Sequence, residues 1–173
     1  EKLERELEEI SRKYGIRILG PNCLGVYDNW SGVDTFFLPK MKRPSHGYVS
    51  LVSQSGAFAA ALMDWMAYHN IGVSKAVSYG NKVDIDDVEL LEYLGEDENT
   101  RVILMYIEGL KPGRGKQFIE IAKRVVKKKP VVVYKAGKTS RGSLAAQSHT
   151  AAMAGEYNLY RAAFKQAGVV EVE

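Results

Sequence analysis

The chain has 173 residues, 46% hydrophobic and 26% charged, which suffices for one full core with at most a small appendage, so one domain is the expectation. Its 24 basic and 21 acidic side chains leave a net charge of +3, with no basic stripe of the kind that follows a nucleic-acid backbone. Cys23 is the single cysteine, which excludes a disulfide framework or a cysteine-based zinc site within the chain. No apolar run approaches a membrane span and no leader precedes a cleavage site, so the cytosol is the expected compartment.

The opening EKLERELEEISRKYG places Leu3, Leu7, Ile10 and Tyr14 on one helical face. It begins at Glu1, in the middle of the pattern, and is read as the interior of a longer chain. An apolar stripe that narrow needs a neighbour to pack on. A short strand is expected around residues 16–19, followed by a tight loop at Gly20, Pro21 and Asn22. Residues 27–47, with Gly32, Pro39, Pro44 and Gly47, show no clean period and read as a linker with a few extended stretches.

From residue 48 the pattern alternates. Strands are expected near 48–53, 73–78, 101–107, 130–135 and 168–172, each a short β-branched or aromatic run bounded by turn residues. Helical patterns fall between them near 56–70, 85–94, 114–128 and 155–167. This alternation predicts an α/β fold: a doubly wound, parallel, five-stranded sheet of flavodoxin-like order 2-1-3-4-5 with right-handed crossovers. Ligands of such sheets bind at the carboxyl ends of the strands, where the strand order reverses. There SQSGAF (53–58) must meet the loop that begins Ile107, Glu108, Gly109, and the long segment KAGKTSRGSLAAQSHTAAMAG can return over the same crevice.

SQSGAF follows an apolar run and opens an apolar helix. The N–H groups of Ser55, Gly56 and Ala57, the hydroxyls of Ser53 and Ser55 and the positive end of the helix dipole would together make an anion site. His149, between Ser148 and Thr150, stands in a small-residue loop just before a helix, where an imidazole can reach a phosphoryl group. Ser148 and Thr150 could donate to that group from the other side, or simply cap a helix turn. A histidine that accepts phosphoryl must be neutral at the attacking nitrogen, so its other nitrogen needs an acceptor, and Glu108 is the candidate. A solvated Glu108 in a strand-to-helix loop is the plainer alternative. KAGKTSRG lacks the spacing of a nucleotide-hydrolysing P-loop.

Five ordered segments, GPNCLGV at 20–26, VSLVSQSGAF at 49–58, SYGNKVDIDD at 78–87, YIEGL at 106–110 and AGKTSRGSLAAQSHTAAMAG at 136–155, give the chain a resemblance that runs over nearly its whole length. It resembles the NDP-forming acyl-CoA synthetases, the ADP-forming acetate–CoA ligase group, and more distantly the α subunit of succinyl-CoA synthetase. The resemblance implies a reversible cycle: acyl-CoA and phosphate give acyl phosphate, a histidine takes the phosphoryl group and frees the acid, and ADP collects it as ATP. It makes His149 the phosphorylated residue, Glu108 the carboxylate that orients it, and the Ser55-Gly56-Ala57 turn the helix N-terminus that holds the phosphate. It puts Asn22 and Cys23 near the thiol end of coenzyme A, with Cys23 positioning rather than catalytic.

Coenzyme A and ADP or ATP with Mg²⁺ are then substrates, no prosthetic group is expected, and no metal site is assigned within the chain. The implied partners are an N-terminal coenzyme A-binding domain in the same chain, of which residues 1–26 would be the tail, an ATP-grasp domain or β subunit, small-molecule acids, and further subunits of an oligomer. Where family members commonly carry glycine after the His-Thr pair, this chain has Ala151, which restricts a positive φ at that point. Two other readings compete: a non-catalytic sensing or scaffold domain of the same family, for example one fused to an acyltransferase, and a flavin-binding electron carrier, which rests on fold analogy alone.

Overall fold

The computed structural model describes residues 2–137 and 157–172. In chain order the elements are α1 (Lys2–Tyr14), β1 (Gly25–Asp28), β2 (Val33–Asp34), β3 (His46–Ser53), α2 (Gly56–Tyr68), β4 (Val73–Ser78), α3 (Asp87–Glu96), β5 (Val102–Ile107), α4 (Gly115–Val125), β6 (Val131–Lys135), α5 (Tyr157–Ala167) and β7 (Val170–Val172). The strands form one sheet in the order β2-β1-β4-β3-β5-β6-β7. From β4 to β7 every pairing is parallel, and these five strands have the expected 2-1-3-4-5 order.

The strand count departs from the expected five. Gly25–Asp28 pairs antiparallel with β4 and carries Val33–Asp34 on its other side, so among the described residues the sheet has seven strands. Part of the stretch read as a linker is therefore built into the sheet. Two and four residues are too short to show a period, and only Tyr27 of β1 is fully buried, so no alternation marks the strand. The added strands explain β4, all six of whose residues are buried. In a five-stranded sheet β4 would be an edge with unpaired backbone groups; β1 covers it. Ion pairing reinforces the cover, because the buried Lys75 of β4 lies 3.1 Å from Asp97 and 3.8 Å from Asp28 of β1.

No strand forms at 16–19 among the described residues. That stretch instead runs along the loop before α3, where Ile18 N–H donates to the Asp84 carboxylate at 2.8 Å and Ile18 O accepts from Ile85 N–H at 3.2 Å. Asp84 gives the segment a side-chain partner in place of a ladder.

Period-two alternation puts the core on both faces of the sheet. Val52, Ile103, Met105, Ile107, Val131 and Val133 point to the side where α3, α4 and α5 contribute Leu91, Leu94, Phe118, Ala122, Val125 and Phe164. Leu51, Val73 and Ala76 point to the other side, against Ala59, Met63 and Met66 of α2 and against Leu24, Tyr27 and Phe36. Each fully buried large side chain contributes about 1.5–3 kcal/mol. Helix α1 adds little to this core: Ser11 is its only buried residue, and Leu3, Ile10 and Tyr14 are exposed. Polar contacts hold it, from Asn81 Nδ2 to Glu4 at 2.5 Å and, just beyond its end, from Arg17 to Asp84 and Glu89 at 2.9 Å each. Among the described residues no helix is long and apolar enough to cross a membrane.

Candidate functional site

Strand order reverses between β3 and β5, and the loops leaving these two strands meet at their carboxyl ends, where ligands of such sheets bind. On the β3 side, Ser55 is the N-cap of α2, with extended backbone (φ −91°, ψ 120°) and its Oγ accepting from Phe58 N–H at 3.2 Å. Gly56 and Ala57 come before the first intrahelical donor, Ala59 N–H, which bonds Ser55 O at 3.0 Å, so theirs are N–H groups the helix leaves over at its positive end. Ser53 is fully buried, and its hydroxyl donates to Ser55 O at 2.7 Å, so it shapes the turn.

On the β5 side, Glu108 and Gly109 begin the loop. The link between the two sides is Gln54, which escaped the sequence reading. Its backbone N–H donates to Tyr106 O at 3.2 Å, and its buried Oε1 accepts from Glu108 N–H at 2.6 Å and Gly109 N–H at 3.1 Å. One side chain thus ties the anion-site turn to the loop carrying the candidate carboxylate. A polar residue between the end of an apolar strand and a Ser-Gly helix start was the available signal.

A third segment joins from the N-terminal side. Asn81 N–H donates to Pro21 O and Val83 N–H to Gly20 O, each at 2.9 Å, and Leu24 N–H donates to Ser78 Oγ at 3.0 Å. Asn22, with φ 56°, is exposed at the tip of this loop, and Cys23 is half-buried with Sγ 3.6 Å from Leu19 O. Gly80 makes the docking possible. Its φ is +52°, and a Cβ there would lie 2.1 Å from Pro21 O and 2.5 Å from Asn22 O. The loop reaches the start of α2, since a Cβ on Gly56 would meet Leu24 Cβ at 3.4 Å. Asn22, Cys23, Ser55, Gly56, Ala57 and Glu108 therefore share one end of the sheet. His149, Ser148 and Thr150 lie outside the described residues.

Two buried lysines bring charge to this end. Lys135, the last residue of β6, donates to Glu108 O at 2.8 Å and Ala136 O at 2.5 Å, and its Nζ lies 4.7 Å from the centre of the Tyr160 ring. Burial pushes its ammonium down to about 8, against the opposing pull of the Glu108 carboxylate and with help from Lys82. Lys82 donates to Asp87 at 2.8 Å and to Gly109 O, and the Tyr79 hydroxyl donates to the other oxygen of Asp87. Burial, and then the Asp87 carboxylate, hold the Tyr79 phenol well above its ordinary range. Behind them Asp86 caps α3 in a capping box and pairs with Arg114 at 2.6 Å. The sequence signal for Lys135 was its phase: it falls in step with the buried Val131 and Val133.

A family model described as the succinyl-CoA ligase like flavodoxin domain matches residues 46–173. Over 169 residues, 98% of this chain and 36% of the relative, the chain is 52% identical to subunit alpha of ADP-forming acetate–CoA ligase I from Pyrococcus furiosus. It is 47% identical to ADP-forming acetate–CoA ligase I of Archaeoglobus fulgidus over 98% of this chain and 24% of that protein. Among solved structures, the dinucleotide forming acetyl-coenzyme A synthetase 1 of Ca. Korarchaeum cryptofilum, in complex with phosphate and ADP, superposes with a TM-score of 0.94 at 46% identity, covering 100% of this chain and 37% of that one. The chain thus spans about a quarter to somewhat over a third of the length of these relatives. With the family model covering the whole parallel sheet and the site at its carboxyl end, the chain belongs to the succinyl-CoA ligase like flavodoxin domain family.

Proposed function

We propose that this chain is the phosphohistidine domain of an ADP-forming acyl-CoA synthetase, an acid–thiol ligase of acetate–CoA ligase type. It relays a phosphoryl group between acyl phosphate and ADP. The observation that carries the reading is the tie made by Gln54, which keeps the free N–H groups at the start of α2 and the Glu108 loop on the same crevice. The names of the relatives support it, as does the phosphate and ADP complex described for the Korarchaeum enzyme.

In this reading phosphate attacks the acyl-CoA carbonyl, and coenzyme A leaves as the thiol. A neutral nitrogen of His149 then attacks the phosphorus of the acyl phosphate, the P–O bond to the acyl group breaks, and the carboxylate departs. Glu108 accepts from the other imidazole nitrogen, which fixes the tautomer and steadies the positive charge that develops on the ring. The Gly56 and Ala57 N–H groups and the dipole of α2 receive the transferred dianion, with Ser148 and Thr150 donating from the histidine side. Phe58, stacked on Tyr106 at 4.3 Å, gives the turn an apolar neighbour. ADP then takes the phosphoryl group. Asn22 and Cys23 line the approach of the coenzyme A thiol. Nucleotide with Mg²⁺ is handled by an ATP-grasp domain or β subunit, coenzyme A by an N-terminal domain of which residues 1–26 are the tail, and the assembly works in the cytosol as an oligomer.

The test is labelling of the longer protein that carries this chain, with its ATP-grasp part, Mg²⁺ and γ-labelled ATP. Acid-labile label on His149, discharged by ADP and lost in His149→Ala, is the expected result. A competent enzyme that never labels there, or a His149→Ala variant that keeps its activity, overturns the reading.

A further inference from the structure

The Glu108–Gly109 turn has an unusual set of partners. Its two N–H groups both go to Gln54 Oε1, its first carbonyl to Lys135 Nζ and its second to Lys82 Nζ, so side chains satisfy all four of its backbone polar groups. None of the three is exposed by more than 5%, and Lys135 by only 1%. Buried ammonium groups are costly, and an aliphatic side chain in step with Val131 and Val133 would pack at Lys135 without that cost. Lys82 is neutralised by Asp87, which the Tyr79 hydroxyl holds in turn. Lys135 instead meets two carbonyl oxygens and the face of Tyr160, and the carboxylate that acts on it most strongly is that of Glu108. Two lysines, one ending β6 and one in the β4–α3 loop, thus converge on the turn that carries Glu108.

We propose that Lys135, backed by the Tyr79–Asp87–Lys82 chain, is a positioning residue for Glu108: it pins the Glu108 carbonyl, and its charge holds the carboxylate in the orientation that receives the imidazole N–H. The proposal rests on the reading of Glu108 as the partner of His149. It also gives a purpose to SYGNKVDIDD, which supplies Tyr79, Lys82 and Asp87 and otherwise has no part in the phosphoryl relay.

The test uses the complete enzyme with its ATP-grasp part, in single-turnover phosphorylation and in steady state. Lys135→Met should slow formation of the phosphorylated protein by about 10- to 100-fold, the scale on which small misplacements of a catalytic group act. KM values for acyl-CoA, phosphate and ADP should change by no more than about twofold, because Lys135 is only 1% exposed and acts through the Glu108 turn. Lys135→Arg, which keeps the charge beside the carbonyl, should recover most of the rate. Should Lys135→Met not fold, Lys135→Gln keeps a donor for the carbonyl without the charge, and the same slow phosphorylation is expected of it. A neutral variant that labels at the wild-type rate overturns the proposal. So does a loss that appears equally in every KM, or one that Lys135→Arg leaves untouched, since either marks a residue that only supports the fold. Wild-type enzyme that labels at His149 while the Lys135 variants behave normally leaves the relay standing and removes only this inference; wild-type enzyme that never labels at His149 removes both.

Discussion

Lys135 makes the case for reading single residues against their strand. By composition it is one of 24 basic residues, and by position it closes an apolar strand just before a Gly-containing loop. Its depressed pKa makes stability depend on pH. Between about 8 and 10.5 the unfolded chain carries a proton that folded Lys135 has lost, so unfolding takes up a proton in that window. Wild-type protein should therefore gain stability relative to Lys135→Met as the pH rises from 8 to 10.5, and the difference should be flat below 8. Urea unfolding of both proteins across this range measures it. Subtracting the variant cancels ionisations away from Lys135, such as that of Tyr27. A flat difference throughout would mean that Lys135 is solvated in the folded protein.

At the scale of elements, the site is made where loops leave parallel strands, and the loop at residues 20–24 is the one added from outside the five-strand pattern. Its attachment depends on backbone groups of the β4–α3 loop and on the bare Cα of Gly80. Gly80→Ala should cost the left-handed backbone penalty of about 1–2 kcal/mol and also drive Pro21 and Asn22 off the loop, because the new Cβ has no room. In the complete enzyme the expected signature is a raised KM for coenzyme A with acetyl phosphate-dependent labelling of His149 retained, and steady-state kinetics with each substrate varied reads it. An unchanged coenzyme A KM would remove Asn22 and Cys23 from the proposed approach path. The elements themselves were largely legible. All five parallel strands and the four helices between them are expected from β-branched runs, turn residues and helical spacing, and α2 begins at the Gly56 that SQSGAF marks. Strands β1 and β2 were not legible, because four residues with one buried side chain and two with none carry no period, and what makes them strands is β4 beside β1 and β1 beside β2.

Across the whole molecule, burial is uneven, and this predicts an order of local opening. Strands β3, β4 and β5 lie inside the sheet, with helices or the 24–36 segment against them, whereas α1 presents most of its apolar residues to solvent and β7, among the described residues, pairs on one side only. Amide hydrogen exchange should find β3, β4 and β5 opening only with global unfolding and α1 opening at much lower free energy. Equal protection of α1 and β3 in the isolated chain would contradict the packing described here. The amino-acid order by itself determined the α/β alternation, the winding of the parallel strands and the crevice, because periodicity and turn chemistry are local and parallel strands with short connections admit few topologies. It also singled out Glu108 and the Ser55 turn. Only the tertiary structure decided that Gln54 joins these two, that Lys135 and Lys82 converge on the Glu108–Gly109 turn, and that residues 25–34 complete the sheet. Those are contacts between residues 27 to 55 positions apart in the chain and pairings across strands, and no local pattern records which buried polar group will meet which partner.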